Sequence, residues 1–222
     1  MDGNRAGQDR SFEKPVLVPA GRVRLQGVLG LPQGARGIVV FAHGSGSGSL
    51  SPRNNFVARV LQDARIATLL VDLLEEEESF DRRMVFDIDL LAGRLLANLQ
   101  WLRERPEAKL QIAYFGASTG AAAALQAAAR EPEGIAAVVS RGGRPDLASD
   151  YLHLVRAPTL LIVGGEDTPV ILLNEAAYAM LRSPKDLVIV PGASHLFEEP
   201  GTLDRVAELA RDWFIKHFLP QA

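Results

Sequence analysis

The 222-residue chain contains no cysteine. Disulfides, thiolate metal sites and a cysteine nucleophile are therefore excluded. It has no apolar run of 18 or more residues, so no membrane span and no membrane partner are expected. Residues 1–14 are polar and charged with no apolar core, which reads as a flexible N-terminal arm rather than a secretory signal. A cytoplasmic location is the default expectation. Excess positive charge is also missing: the formal net charge is -3, which argues against a nucleic-acid partner. The glycine-rich stretch His43–Gly48 fits neither phosphate-loop spacing, and no lysine follows it. What is present is ordinary for a globular protein, 47% hydrophobic and 23% charged, with residues 15–222 of a size for one domain.

That domain is organised around Gly116-Ala117-Ser118-Thr119-Gly120, a G-x-S-x-G pattern. The apolar run 110–115 precedes it and reads as a buried strand. The alanine-rich segment 121–130 follows and reads as a helix. Strand, tight turn and helix are the context in which a serine projects above a sheet edge, with a helix N-terminus behind it to favour negative charge. The alternative for Ser118 is a helix cap after a strand.

From residue 36 onward, strands and helices alternate. Strands are predicted at 38–41, 66–71, 110–115, 135–139, 159–163 and 187–190, preceded by a pair at 15–19 and 22–31. Helices are predicted from 52, where Ser51-Pro52 supplies a cap and a first-turn proline, and over 85–102, 121–130, 170–181 and 203–218. Residues 73–81, with Glu75–Glu78, read as a solvated acidic loop with no ligand spacing for a metal. Strict alternation implies an α/β fold with a mostly parallel sheet, whose ligands bind at the carboxyl ends of the strands.

A serine hydroxyl needs a base, and the base needs an orienting group. His195 follows the last strand and is the expected base. His43, His153 and His217 have structural readings, His43 as a residue that orders the adjacent glycine loop. Asp167 follows the preceding strand and is the expected acid. Glu166 is its rival, with Asp146 and Asp72 behind, and a helix-capping role is the alternative for Asp167. The N–H groups of Ser45 and Thr119 are the expected oxyanion donors. His43, Gly44 and Arg141 are candidate substrate contacts. Arg141 is read either as a carboxylate binder or as a partner for an acidic loop.

With His43-Gly44-Ser45-Gly46, Gly116–Gly120, Asp167 and His195 in this order, residues 15–219 resemble the α/β-hydrolase superfamily. Within it they are most similar to the dienelactone-hydrolase-like small serine hydrolases. The resemblance implies a mostly parallel eight-stranded sheet with helices on both faces and minimal or no lid. It also implies a catalytic triad of Ser118, Asp167 and His195. Dienelactone hydrolases proper use cysteine where this chain has Ser118, which favours general ester cleavage over lactone opening. The reading is a cofactor-free serine esterase of small-molecule esters, with no metal. A thioesterase, amidase or acyltransferase on the same residues, or a small-molecule receptor on the same fold, are the alternatives. Residues 140–158 are short, so an open pocket favouring short acyl chains is expected. One short helix at 147–155 is expected over the site.

Overall fold

The computed structural model describes residues 12–44 and 48–218. Eight strands form one sheet: β1 (Glu13–Ala20), β2 (Val23–Gly30), β3 (Gly37–Ala42), β4 (Ala67–Val71), β5 (Gln111–Ala117), β6 (Val138–Arg141), β7 (Thr159–Gly164) and β8 (Lys185–Val190). Their spatial order is β1-β2-β4-β3-β5-β6-β7-β8. β3 to β8 run parallel, while β1 and β2 form an antiparallel hairpin that joins the edge of β4. The helices are α1 (Pro52–Asp63), α2 (Glu76–Ser79), α3 (Arg82–Val85), α4 (Ile88–Arg103), α5 (Thr119–Arg130), α6 (Ser149–Leu152), α7 (Thr168–Met180) and α8 (Thr202–His217). Among the described residues, no helix is long and apolar enough to cross a membrane.

The all-apolar run of β3 is explained by two cores. Ile38, Val40 and Ala42 pack with Leu91, Leu95 and Leu99 of α4 and the alanine face of α5. Val39 and Phe41 pack with Val57 and Leu61 of α1 and Val206, Ala210 and Phe214 of α8. Alternate side chains leave opposite faces of a strand, so a strand covered on both faces must be apolar throughout. Each fully buried Val, Ile or Phe contributes about 1.5–3 kcal/mol relative to exposure. These two layers hold the strand ends in fixed register, and the site is built on their carboxyl ends.

Three sequence expectations are corrected. The first strand begins at Glu13 rather than Pro15, because Glu13 and Lys14 pair with Gly30 and Leu29. An edge strand gains its ladder bonds without needing an apolar pattern, so this start carried no hydrophobic signal. The acidic segment 73–81 is not all loop: residues 75–77 are exposed, but Glu76–Ser79 form α2 and Glu78 is anchored. Glu78 forks onto the buried Arg94 of α4, with Nη2 to Oε1 at 2.7 Å, and Arg94 also donates to the Leu73 carbonyl at 2.7 Å. The Arg94 guanidinium draws the Glu78 carboxyl below its ordinary range. Finally, the short helix expected over the site at 147–155 packs into the core instead. Residues 145–148 form a 3₁₀ turn leading into α6, and Leu152 and Val155 are buried against the α5 and α7 side of the sheet.

Candidate active site

Ser118 sits between β5 and α5 with φ 51° and ψ −124°, a strained conformation for a residue with a side chain. Close packing fixes the turn. A Cβ on Gly120 would lie 2.1 Å from the Ala42 carbonyl oxygen, and one on Gly44 would lie 2.7 Å from Ser118 Cβ. The end of β3 is thus pressed directly against the turn. The Ser118 N–H donates to the Arg141 carbonyl of β6 at 3.3 Å, and its own carbonyl accepts from Ala121 and Arg144. Although Ser118 occupies the N-cap position of α5, its hydroxyl makes no cap bond.

Asp167 holds the N-cap position of α7 and also makes no cap bond with its side chain. Its Oδ2 instead meets His195 Nδ1 at 2.6 Å. That contact places the proton on Nδ1 and leaves Nε2 as the free acceptor. The His195 loop is pinned from below: the Ser194 N–H donates to Glu199 Oε2 at 2.9 Å, which draws the Glu199 carboxyl below its ordinary range. The His195 ring packs on Gly142, whose Cβ position lies 3.5 Å from His195 Cε1. Gly142 follows the residue whose carbonyl holds Ser118. The ends of β7 and β8 thus bring Asp167 and His195 into contact, and the His195 ring lies on Gly142, one residue beyond the β6 carbonyl that holds Ser118.

Thr119 opens α5, so its N–H is one of the helix donors without an intrahelical partner. Ser45, the other expected oxyanion donor, lies outside the described residues. His43 ties the end of β3 to the segment after β4: Nε2 accepts from the Leu73 N–H at 2.8 Å, and Nδ1 lies 3.0 Å from the Gly44 carbonyl. Burial pushes its pKa down, consistent with a neutral ring carrying its proton on Nδ1. Asp72 is engaged too, accepting from Ser49 N at 2.6 Å and Ser49 Oγ at 3.0 Å. It therefore serves the loop and not His195. Arg141 is 8% exposed, and among the described residues it makes no ion pair.

A cavity of about 670 Å³ opens beside Thr119, His43 and Gly44. Its apolar surface comes from Leu25, Leu74, Val85 and Leu91, while Leu50 and Phe80 stand exposed at its rim. Sequence reading missed these residues. The cavity wall belongs to the segment between β4 and α4, on the opposite side of the nucleophile from the segment expected to supply a lid.

The dienelactone hydrolase family profile matches residues 25–216. The chain belongs to the dienelactone hydrolase family. Its eight-stranded sheet is the α/β arrangement of that family, and no lid is evident among the described residues. A crystal structure of dienelactone hydrolase from Anabaena variabilis is 57% identical, with a TM-score of 0.91 over 93% of this chain and 98% of that one. A Mycobacterium tuberculosis H37Rv protein, provisionally named a phosphoribosyl transferase, is 58% identical over 206 residues, 92% of this chain and 46% of the relative. The chain thus spans about half the length of the curated relatives it matches. An α/β serine hydrolase without lid from Xanthomonas campestris shares the fold at 20% identity, with a TM-score of 0.77 over 96% of this chain and 97% of that one.

Proposed function

We propose that this member of the dienelactone hydrolase family is a serine hydrolase that cleaves small carboxylic esters through an acyl-enzyme. The observation that carries this reading is the side chain of Asp167. At a helix N-cap it forgoes the cap and bonds His195 Nδ1 at 2.6 Å. A merely structural aspartate would cap α7 and gain about 1 kcal/mol by doing so.

In this reading Ser118 Oγ attacks the ester carbonyl while His195 Nε2 takes its proton. Asp167 holds the imidazole in the required tautomer and stabilises its charge. The tetrahedral oxyanion receives the Thr119 N–H at the start of α5 and a second donor from the loop after β3, assigned to Ser45. Collapse of the intermediate breaks the ester C–O bond, and His195 returns the proton to the departing alcohol. Water then attacks the acyl-Ser118 carbonyl with His195 again as base, releasing the carboxylic acid and restoring the hydroxyl. The apolar part of the substrate occupies the cavity beside Thr119. The transferase name of the Mycobacterium relative belongs to a protein more than twice the matched length and lends no support to a transfer reaction here.

The test is labelling with a fluorophosphonate followed by peptide mapping, together with hydrolysis of p-nitrophenyl esters. The adduct is expected on Ser118. Ser118→Ala is expected to lose both labelling and turnover, the latter by roughly 10⁴-fold or more. Hydrolysis retained in Ser118→Ala would refute the reading.

A further inference from the structure

Resting on the ester-hydrolase reading, we infer that the cavity beside Thr119 is an acyl pocket and that the alcohol half of the ester faces open solvent, so the protein selects substrates by their acyl group and is indifferent to the alcohol. The strand order gives the nucleophile two sides. Ser118 follows β5; the loops after β6, β7 and β8 lie to one side of it, and those after β3 and β4, with β2 beyond, lie to the other. His195 and Asp167 stand on the first side, where the His195 ring packs on Gly142. The cavity of about 670 Å³ stands on the second, walled by Leu25 of β2, Leu74 and Val85 of the segment after β4, and Leu91 of α4. Gly44 also lines it, and a Cβ there would lie 2.7 Å from Ser118 Cβ, so the cavity wall reaches the nucleophile.

The chemistry decides which half of the ester enters. The tetrahedral carbon carries Ser118 Oγ, the oxyanion, the oxygen of the departing alcohol and the first carbon of the acyl chain. His195 Nε2 takes the proton from Oγ and gives it to the departing oxygen, so both must lie within its reach. The oxyanion is turned to the Thr119 N–H. The acyl carbon has no proton to exchange and is directed away from His195, to the side where the cavity lies. The alcohol, and after it the attacking water, occupy the His195 side. That side is open: the His195 side chain is 40% exposed, and the neighbouring Leu196 is 39% exposed. The acyl side is enclosed by comparison, since Leu25, Leu74, Val85 and Leu91 are all buried. Apolar walls discriminate between chains, at up to about fourfold in equilibrium constant per buried methylene, whereas a group that stays in water gains nothing from its size. The volume is that of a site enclosing a whole small ligand, so a branched or ring-bearing acyl group fits as well as a straight one. Arg24, Gln26, Glu75 and Glu76 line the exposed mouth, so the gain levels off once a chain reaches them.

The test crosses two ester series. Methyl, butyl and benzyl alcohols, which are of similar acidity, are each esterified with acetic and with hexanoic acid, and hydrolysis is followed by proton release. From acetate to hexanoate, kcat/KM is expected to rise roughly tenfold or more at each alcohol, and to change less than about threefold between alcohols at each acyl group. Val85→Phe, which fills the cavity, should cost the hexanoates about tenfold and leave the acetates near wild type. Leu50→Ala, at an exposed rim position where folding is not at stake, should cost the hexanoates alone, by about two- to threefold. A flat acyl series overturns the acyl assignment. So do butyl and benzyl acetates that lose rate in Val85→Phe while methyl hexanoate does not, since the alcohol would then fill the cavity. The fluorophosphonate adduct on Ser118 separates this assignment from the ester-hydrolase reading. Labelling of Ser118 together with alcohol-dependent selectivity removes the acyl pocket and leaves the serine hydrolase standing, while hydrolysis of no ester in either series overturns both.

Discussion

At the scale of single residues, the turn at Ser118 shows how backbone strain and close packing hold a nucleophile. Its left-handed φ costs about 1–3 kcal/mol, offset by the β3 end and α5 packed around it. Gly120→Ala should put a methyl group into the Ala42 carbonyl, destabilising the fold by about 1–3 kcal/mol or more, as urea unfolding would show. The acid is tested by a matched pair of substitutions. Asp167→Asn removes the anion that faces His195 Nδ1 and should depress ester turnover strongly at neutral pH. Glu166→Gln alters an exposed side chain whose backbone N–H, and not its carboxylate, bonds the Ala193 carbonyl, and it should leave turnover near wild type. The opposite pattern would reassign the acid to Glu166.

At the scale of elements, the segment between β4 and α4 decides the shape of the cavity. Phe80 and Leu50 are 81% and 85% exposed at its rim, above a floor of Leu74, Val85 and Leu91. The short-chain expectation rested on the brevity of residues 140–158, but the walls come from elsewhere. An acyl chain that follows them gains about 0.8 kcal/mol per buried methylene. In a p-nitrophenyl series, kcat/KM should therefore rise from acetate to hexanoate, and Phe80→Ala should lose most of that rise. A decline from acetate onward would show that the acyl group lies outside this cavity. Glu78→Gln should strip Arg94 of its charged partner and cost about 1–3 kcal/mol in urea unfolding. The contrast in legibility has a physical origin. The Ser118 turn announces itself through two glycines between a strand and a helix, and Asp167 and His195 each follow an apolar strand. The segment carrying Glu75–Glu78 has no apolar period of its own. Its order comes from Arg94, 16 residues beyond Glu78 and hidden within a helix that reads as amphipathic regardless of that bond. Arg141 was visible as a residue at a strand end, but its burial there depends on the packing around β6.

At the scale of the whole molecule, the titratable groups set an acid limit to stability. Burial lowers the His43 pKa, and the Arg94 guanidinium lowers that of Glu78. Between its folded and unfolded pKa, each group binds fewer protons in the native state, so stability rises with pH across that interval. Each contribution is complete above the unfolded value, about 6.5 for histidine and about 4.3 for glutamate, and is lost as pH falls through the folded one. The melting temperature should thus decline in two stages, beginning just below the ordinary histidine range and steepening below the ordinary glutamate range. The first stage carries a structural consequence. Protonating His43 removes the Nε2 lone pair that accepts the Leu73 N–H, releasing the start of the cavity wall from the end of β3. His217, its pKa lowered by burial in α8, adds to the same stage. Thermal melts from pH 8 to pH 4 at fixed ionic strength measure both stages. His43→Gln, whose side-chain carbonyl accepts the same N–H without titrating, should flatten the upper stage, and Glu78→Gln should flatten the lower. An upper stage of undiminished slope in His43→Gln would assign it to His217 or another group, and would break the link between the glycine loop and the cavity wall.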